Sequence, residues 1–131
     1  MPNGLIFMKY DERSGMEIKA KYPEKKFKIT DKTLMQILNL HEFSKQAGIV
    51  SLTLDNINFV TYYSGADTDY FFILMLNMLE NPEDYEEILE EVSQIILKNL
   101  EKKKYLKLLP SLFHKIIDYP KASKDSLDDQ V

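Results

Sequence analysis

The spacing of hydrophobic and polar positions predicts an α+β chain. Short segments that are continuously apolar, or that alternate apolar with polar residues, are typical of strands. Longer segments with apolar residues every three or four positions are typical of helices. By these criteria five strands are predicted, at residues 5–8, 16–22, 49–54, 57–63 and 70–76. Three helices are predicted, at residues 31–47, 82–100 and 103–118.

Turn and cap residues mark several boundaries of these elements. Asn81 and Pro82 form the clearest helix start, because Asn accepts free backbone amides and Pro fits the first helical position. Asp55-Asn56 is predicted to form a tight hairpin turn between the third and fourth strands. Pro110 is expected to kink the third helix or to start a fresh turn there.

The polarity of each strand predicts the order of the sheet. The first and fifth strands are apolar throughout, which requires that both faces be covered and places them in the centre. The second strand alternates, with Met16, Ile18, Ala20 and Tyr22 on one face, so it and the third strand belong nearer the edges. With hairpins joining neighbours, the prediction is a five-stranded antiparallel sheet of order 2-1-5-4-3. The first helix then covers one face, and the two C-terminal helices cover the other.

Length and composition limit the architecture further. The 131 residues fit one domain, predicted over residues 1–120, with a polar tail over residues 121–131. The chain has no cysteine, which excludes disulfides and thiol catalysis and is compatible with a cytoplasmic location. No signal peptide or membrane-spanning segment is expected, so any membrane contact is expected to be indirect. The net charge of −4 argues against nucleic acid as a partner.

Residues suited to catalysis or metal binding are sparse. The two histidines, His41 and His114, lie on helices predicted on opposite faces of the sheet, so ligation of one metal by both is not expected. Asp67 and Asp69 lie in a loop that lacks the remaining ligands of a calcium site. The sequence has no Gly-x-Ser-x-Gly motif and no phosphate-binding glycine loop. We therefore expect no catalytic residue, metal or cofactor, and a protein that is not an enzyme.

The order of the elements, with the first and fifth strands as the central pair, resembles that of the longin domain. The resemblance covers about residues 4–118. The segment Ser14-Gly15-Met16-Glu17-Ile18 resembles the turn that opens the second strand in many small longin-like proteins, although Met16 stands where a proline is often found. Roadblock domains are related but usually begin with a helix, whereas this chain begins with a strand at residue 4.

The longin resemblance implies a role in vesicle trafficking and in the regulation of small GTPases, exerted through surfaces and not through catalytic side chains. The expected function is a non-enzymatic interaction or scaffold domain, a homodimer that engages a small GTPase or another longin or roadblock protein. The alternative is a small-molecule sensor domain. It requires an internal aromatic-lined cavity behind Tyr62, Tyr63 and Phe72, because aromatic runs line ligand pockets as well as cores.

Two features exceed what this fold requires and predict a partner-binding surface. The first helix carries a second apolar stripe beside the one that faces the sheet. The third strand carries no charge, whereas charged residues usually protect an edge strand from pairing with another chain. The alternative for the helix is deep burial between flanking loops. The predicted contact residues are Leu40, Phe43, Ala47, Ile49, Ser51 and Thr53.

Overall fold

The sheet has the strand order that the sequence predicts. The computed structural model describes residues 2–23, 30–42, 47–54 and 57–128. Within these residues the strands are β1 (Gly4–Asp11), β2 (Gly15–Tyr22), β3 (Gly48–Leu54), β4 (Ile57–Tyr63) and β5 (Tyr70–Leu76). All neighbouring pairs are antiparallel, in the order β2-β1-β5-β4-β3. The helices are α1 (Asp31–Glu42), α2 (Glu86–Leu97) and α3 (Tyr105–Asp128).

The central strands are buried on both faces, which makes three layers. Phe72 on one face of the sheet packs in a buried cluster with Ile88 of α2 and Phe113 of α3. On the opposite face, Leu34 and Ile37 of α1 pack in a second buried cluster with side chains of β1, β4 and β5. The structure therefore confirms the prediction of one helix on one face and two C-terminal helices on the other.

Side-chain caps begin two of the helical segments. The Asn81 side chain accepts the backbone N–H of Glu83 at 3.2 Å, and Pro82 opens a short 3-10 turn that leads into α2. Thr30 Oγ1 accepts the backbone N–H of Thr33 at 3.1 Å at the start of α1. Each side chain satisfies an amide that has no partner within its own helix.

Two helix ends differ from the prediction. Ala47 lies in a bend directly before β3, so the predicted helix through Ala47 is wrong, because Gly48 already pairs with β4. α3 runs without interruption through Pro110 to Asp128, beyond the predicted end at residue 118 and into the predicted polar tail. The sequence of that tail contains no glycine to end a helix. Within the described residues, no helix is both long enough and apolar enough to cross a membrane.

A β-bulge changes the faces of β2. Ala20 and Ile18 pair with consecutive residues of β1, so Lys19 is the extra residue of the bulge. An extra residue reverses the alternation of side chains on either side of it. Met16 therefore packs with the α1-side cluster, and Ala20 and Tyr22 pack with the α2–α3 cluster. The prediction that these residues share one face is wrong.

Candidate protein-binding surface

The edge formed by β3 is less protected by charge than the opposite edge. Its seven residues include no charged side chain, whereas β2 carries Glu17, Lys19 and Lys21. Charged side chains on an edge oppose pairing with a strand of another chain. Of the two edges, β3 is therefore the one suited to strand addition. The turn predicted at Asp55-Asn56 lies outside the described residues.

The side chains predicted as contacts on β3 are partly engaged by neighbouring elements, α2 and β4. Ser51 Oγ donates to Glu86 Oε1 at 2.7 Å, and Thr53 Oγ1 donates to Asn58 Oδ1 at 2.7 Å. Ile49 packs against the α2–α3 cluster. Thr53 is exposed, while Ser51 and Ile49 are half-buried. A partner at this edge would therefore meet mainly the strand backbone.

The residues predicted as contacts near α1 lie elsewhere. Leu40 is 37% exposed, on the helix that covers the other face of the sheet. Ala47 is exposed at the start of β3, and Phe43 lies outside the described residues. The structure thus does not bring Leu40 and the three strand side chains onto a single face. Only Ile49, Ser51 and Thr53 belong to the β3 edge itself.

The turn between β5 and the 3-10 turn presents two apolar side chains that the sequence analysis missed. Leu79 is 99% exposed, and Met78 is 48% exposed. The turn is ordered, because the Leu79 amide donates to Asn77 Oδ1 at 2.9 Å and the Asn77 amide donates to Glu80 Oε1 at 3.1 Å. A leucine fixed in solvent gains no stabilisation from burial within its own chain. The turn therefore leaves apolar surface exposed at this end of the molecule.

Asn58 of β4 ties this turn to the β3 edge. It is 2% exposed, and its Nδ2 donates to the carbonyls of Asn77 at 2.9 Å and Glu80 at 2.7 Å. Its Oδ1 accepts the Thr53 hydroxyl. The Tyr85 hydroxyl donates to the Glu80 carboxylate, and burial together with this bond raises the pKa of Tyr85. Tyr85 therefore remains a proton donor at neutral pH.

The aromatic residues predicted behind one cavity are divided between two faces of the sheet. Tyr62 and Phe72 lie in the α2–α3 cluster, where Gln94 Nε2 donates to the Tyr62 hydroxyl at 2.8 Å. Tyr63 lies on the α1 face, stacked on Phe71 with 4.5 Å between ring centroids. Tyr63 and Phe71 line a cleft of about 530 Å³ there. The sheet therefore separates Tyr63 from Tyr62 and Phe72.

Within the described part of the chain, no three His, Asp or Glu side chains lie together as metal ligation requires. Comparison with known proteins finds no family model that matches the chain and no curated protein that is similar to it.

Proposed function

We propose that this chain is a cytoplasmic, non-enzymatic interaction domain of the longin type that assembles through the β3 edge. The observation that carries the proposal is the composition of that edge: an uncharged outer strand with an ordered, exposed leucine fixed beside its end. Thr53, Asn58 and the Met78–Leu79 turn form one continuous hydrogen-bonded unit. The unit holds the apolar turn in a constant position relative to the strand.

A second copy of the chain is the partner that fits this edge. Antiparallel pairing of β3 with its symmetry mate places Ser51, the middle residue of the strand, near the two-fold axis. The side chains of β3 itself bring no charge to the axis, although the Glu86 carboxylate lies close to it, held by the hydroxyl of Ser51. In this arrangement the Leu54 end of β3 pairs with the Gly48 end of β3 in its partner. Thr53, near the Leu54 end, connects through Asn58 to the Met78–Leu79 turn, so dimer formation is expected to order that turn further.

The role proposed for the dimer is to bind or regulate a small GTPase within a trafficking complex, with a longin or roadblock protein as the other possible kind of partner. The order of the elements, with β1 and β5 central between α1 and the α2–α3 pair, supports this role through its resemblance to longin domains. Domains of that type bind other proteins through their surfaces and serve as scaffolds.

Affinity capture in defined nucleotide states tests the GTPase role. The purified chain is immobilised and exposed to native cell extract that is nucleotide-free, GDP-loaded or GTP-loaded. We expect retention of a small GTPase in one nucleotide state. Retention of the nucleotide-free form alone would indicate exchange activity. Recovery of no small GTPase in any state would contradict the GTPase role, whereas the dimer is tested separately by its mass.

A further inference from the structure

The cleft on the α1 face lies at the opposite end of β5 from the Met78–Leu79 turn. Its volume of about 530 Å³ falls within the roughly 300–1,000 Å³ typical of small-molecule sites. The stacked rings of Tyr63 and Phe71 are buried and form its floor. Its apolar walls come from the β1–β2 hairpin and from α1, through Tyr10, Met16, Met35 and Leu38.

The two methionines give the cleft adaptable walls. Met35 is 50% exposed on α1, and Met16 reaches the α1 side of the sheet as a consequence of the bulge at Lys19. Methionine side chains are flexible and polarisable, and they pack well against varied apolar and aromatic groups. The cleft is therefore suited to the apolar body of a small ligand.

One rim of the cleft is fixed by an unusual backbone. Asp69 has a φ of 57° and Gly65 a φ of 106°, both in the left-handed region. The Asp69 amide donates to the Gly65 carbonyl at 2.8 Å, and the Tyr10 amide donates to the Asp69 carbonyl at 2.9 Å. The Tyr63 hydroxyl donates to Asp69 Oδ1 at 2.6 Å. The Asp69 carboxylate is thus held in place at the cleft before any ligand arrives.

The charged groups at the cleft are acidic. The cleft is lined by Asp69 and by Glu12, which belongs to the turn after β1. Among the described residues, no lysine or arginine lines it. The pKa of Tyr63 is raised first by burial. Its hydrogen bond to Asp69 and the negative charges of Asp69 and Asp67 raise it further. Asp67, in the same loop as Asp69, adds a further negative charge that acts on Tyr63. Negative charge over aromatic rings favours an organic cation.

We propose that this cleft binds a small organic cation with an apolar body, such as an alkyl- or aryl-ammonium compound. The apolar body packs on Phe71 and between Met16 and Met35, and the charged group lies toward Glu12 and Asp69. The site is distinct from the β3 edge, so it goes beyond the interaction proposed above and does not depend on it.

Methionine methyl NMR tests the site with matched probes. The chain, labelled with ¹³C at its methionine methyl groups, is titrated with benzyltrimethylammonium, with neutral benzyl alcohol and with anionic benzenesulfonate. We expect saturable shifts of the Met16 and Met35 methyl signals with the cation, and no shift of Met78 at the other end of β5. Equal binding of the three probes, or no shift of Met16 and Met35 with the cation, overturns the proposal.

Removal of the two carboxylates tests the charge requirement. Asn tolerates the left-handed conformation of Asp69 and keeps an oxygen that accepts the Tyr63 hydroxyl. The double substitution Glu12→Gln with Asp69→Asn is expected to weaken binding of benzyltrimethylammonium by about five-fold or more. The matched control, Glu83→Gln at the opposite end of the molecule, should leave it unchanged. Unchanged affinity in the double variant overturns the proposed orientation and the charge requirement with it.

Discussion

Replacement of Phe7 by alanine is expected to lower the free energy of unfolding by about 4 kcal/mol. Phe7 is fully buried near the middle of β1, with its ring centroid 4.8 Å from that of Phe72, 5.1 Å from Tyr105 and 5.2 Å from Tyr70. The substitution removes these ring contacts and leaves a cavity between the sheet and α3. Because small domains are stable by only about 5–15 kcal/mol, the change removes a large part of the total.

Urea denaturation followed by far-ultraviolet circular dichroism measures this loss. Ile18→Ala is a matched control, because Ile18 is a large apolar residue of the neighbouring strand but is 47% exposed. The control should change the free energy of unfolding by no more than about 0.5 kcal/mol. A loss below about 1.5 kcal/mol for Phe7→Ala would mean that this aromatic cluster does not form the centre of the core.

Asn58→Leu is expected to destabilise the chain by about 3 kcal/mol. Leucine has a similar size, but it removes the two N–H groups that serve the Asn77 and Glu80 carbonyls and the acceptor that serves Thr53. The two carbonyls and the Thr53 hydroxyl then lose their hydrogen bonds to Asn58. The turn that contains Leu79 is no longer held to β4. We also expect faster hydrogen exchange at the Leu79 amide, because that amide depends on an ordered turn.

The same denaturation experiment and hydrogen-exchange mass spectrometry measure both effects. Leu79→Ser, in the turn that Asn58 supports, is the control and should alter stability by no more than about 0.5 kcal/mol, because Leu79 is almost fully exposed. If Asn58→Leu were as stable as the unchanged chain, the buried hydrogen bonds of Asn58 would not be what orders the turn.

The order of the sheet can be predicted from the sequence because a strand that is buried on both faces has a run of consecutive apolar residues. β1 and β5 contain runs of consecutive apolar residues, and only central strands have both faces covered. The two alternating strands, β2 and β3, then take the edges. Local caps such as Asn81 are equally visible, since they act within a few residues of their own position.

The composition of the surfaces is less visible, because it depends on distant pairing. The bulge at Lys19 is a property of how β2 pairs with β1, and it moves Met16 to the α1 side of the sheet where the cleft forms. Met78 and Leu79 are separated by one residue from the end of β5 at Leu76 and are apolar like that strand. The turn that exposes them is held by hydrogen bonds from Asn58, about twenty residues earlier in the chain. The local sequence therefore does not indicate that these two side chains are exposed.

The predicted contact surface shows the same limit. The alternation of β3 is a property of the sequence and correctly predicts its place at an edge of the sheet. The direction of its side chains is set by the layers on either side, which place Ser51 against Glu86 and Leu40 on the opposite face. A contact through the strand backbone is therefore favoured over the combined side-chain face that the sequence predicts.

The mass of the chain in solution is the most direct test of assembly through β3. Sedimentation equilibrium at high micromolar concentration should give twice the 15.4 kDa of one chain. Thr53→Lys adds a charge to the edge and should give the mass of a monomer, whereas Thr53→Val, which also loses the hydrogen bond to Asn58, should remain a dimer. A monomeric mass for the unchanged chain, or a dimer that persists with Thr53→Lys, would contradict assembly through the β3 edge.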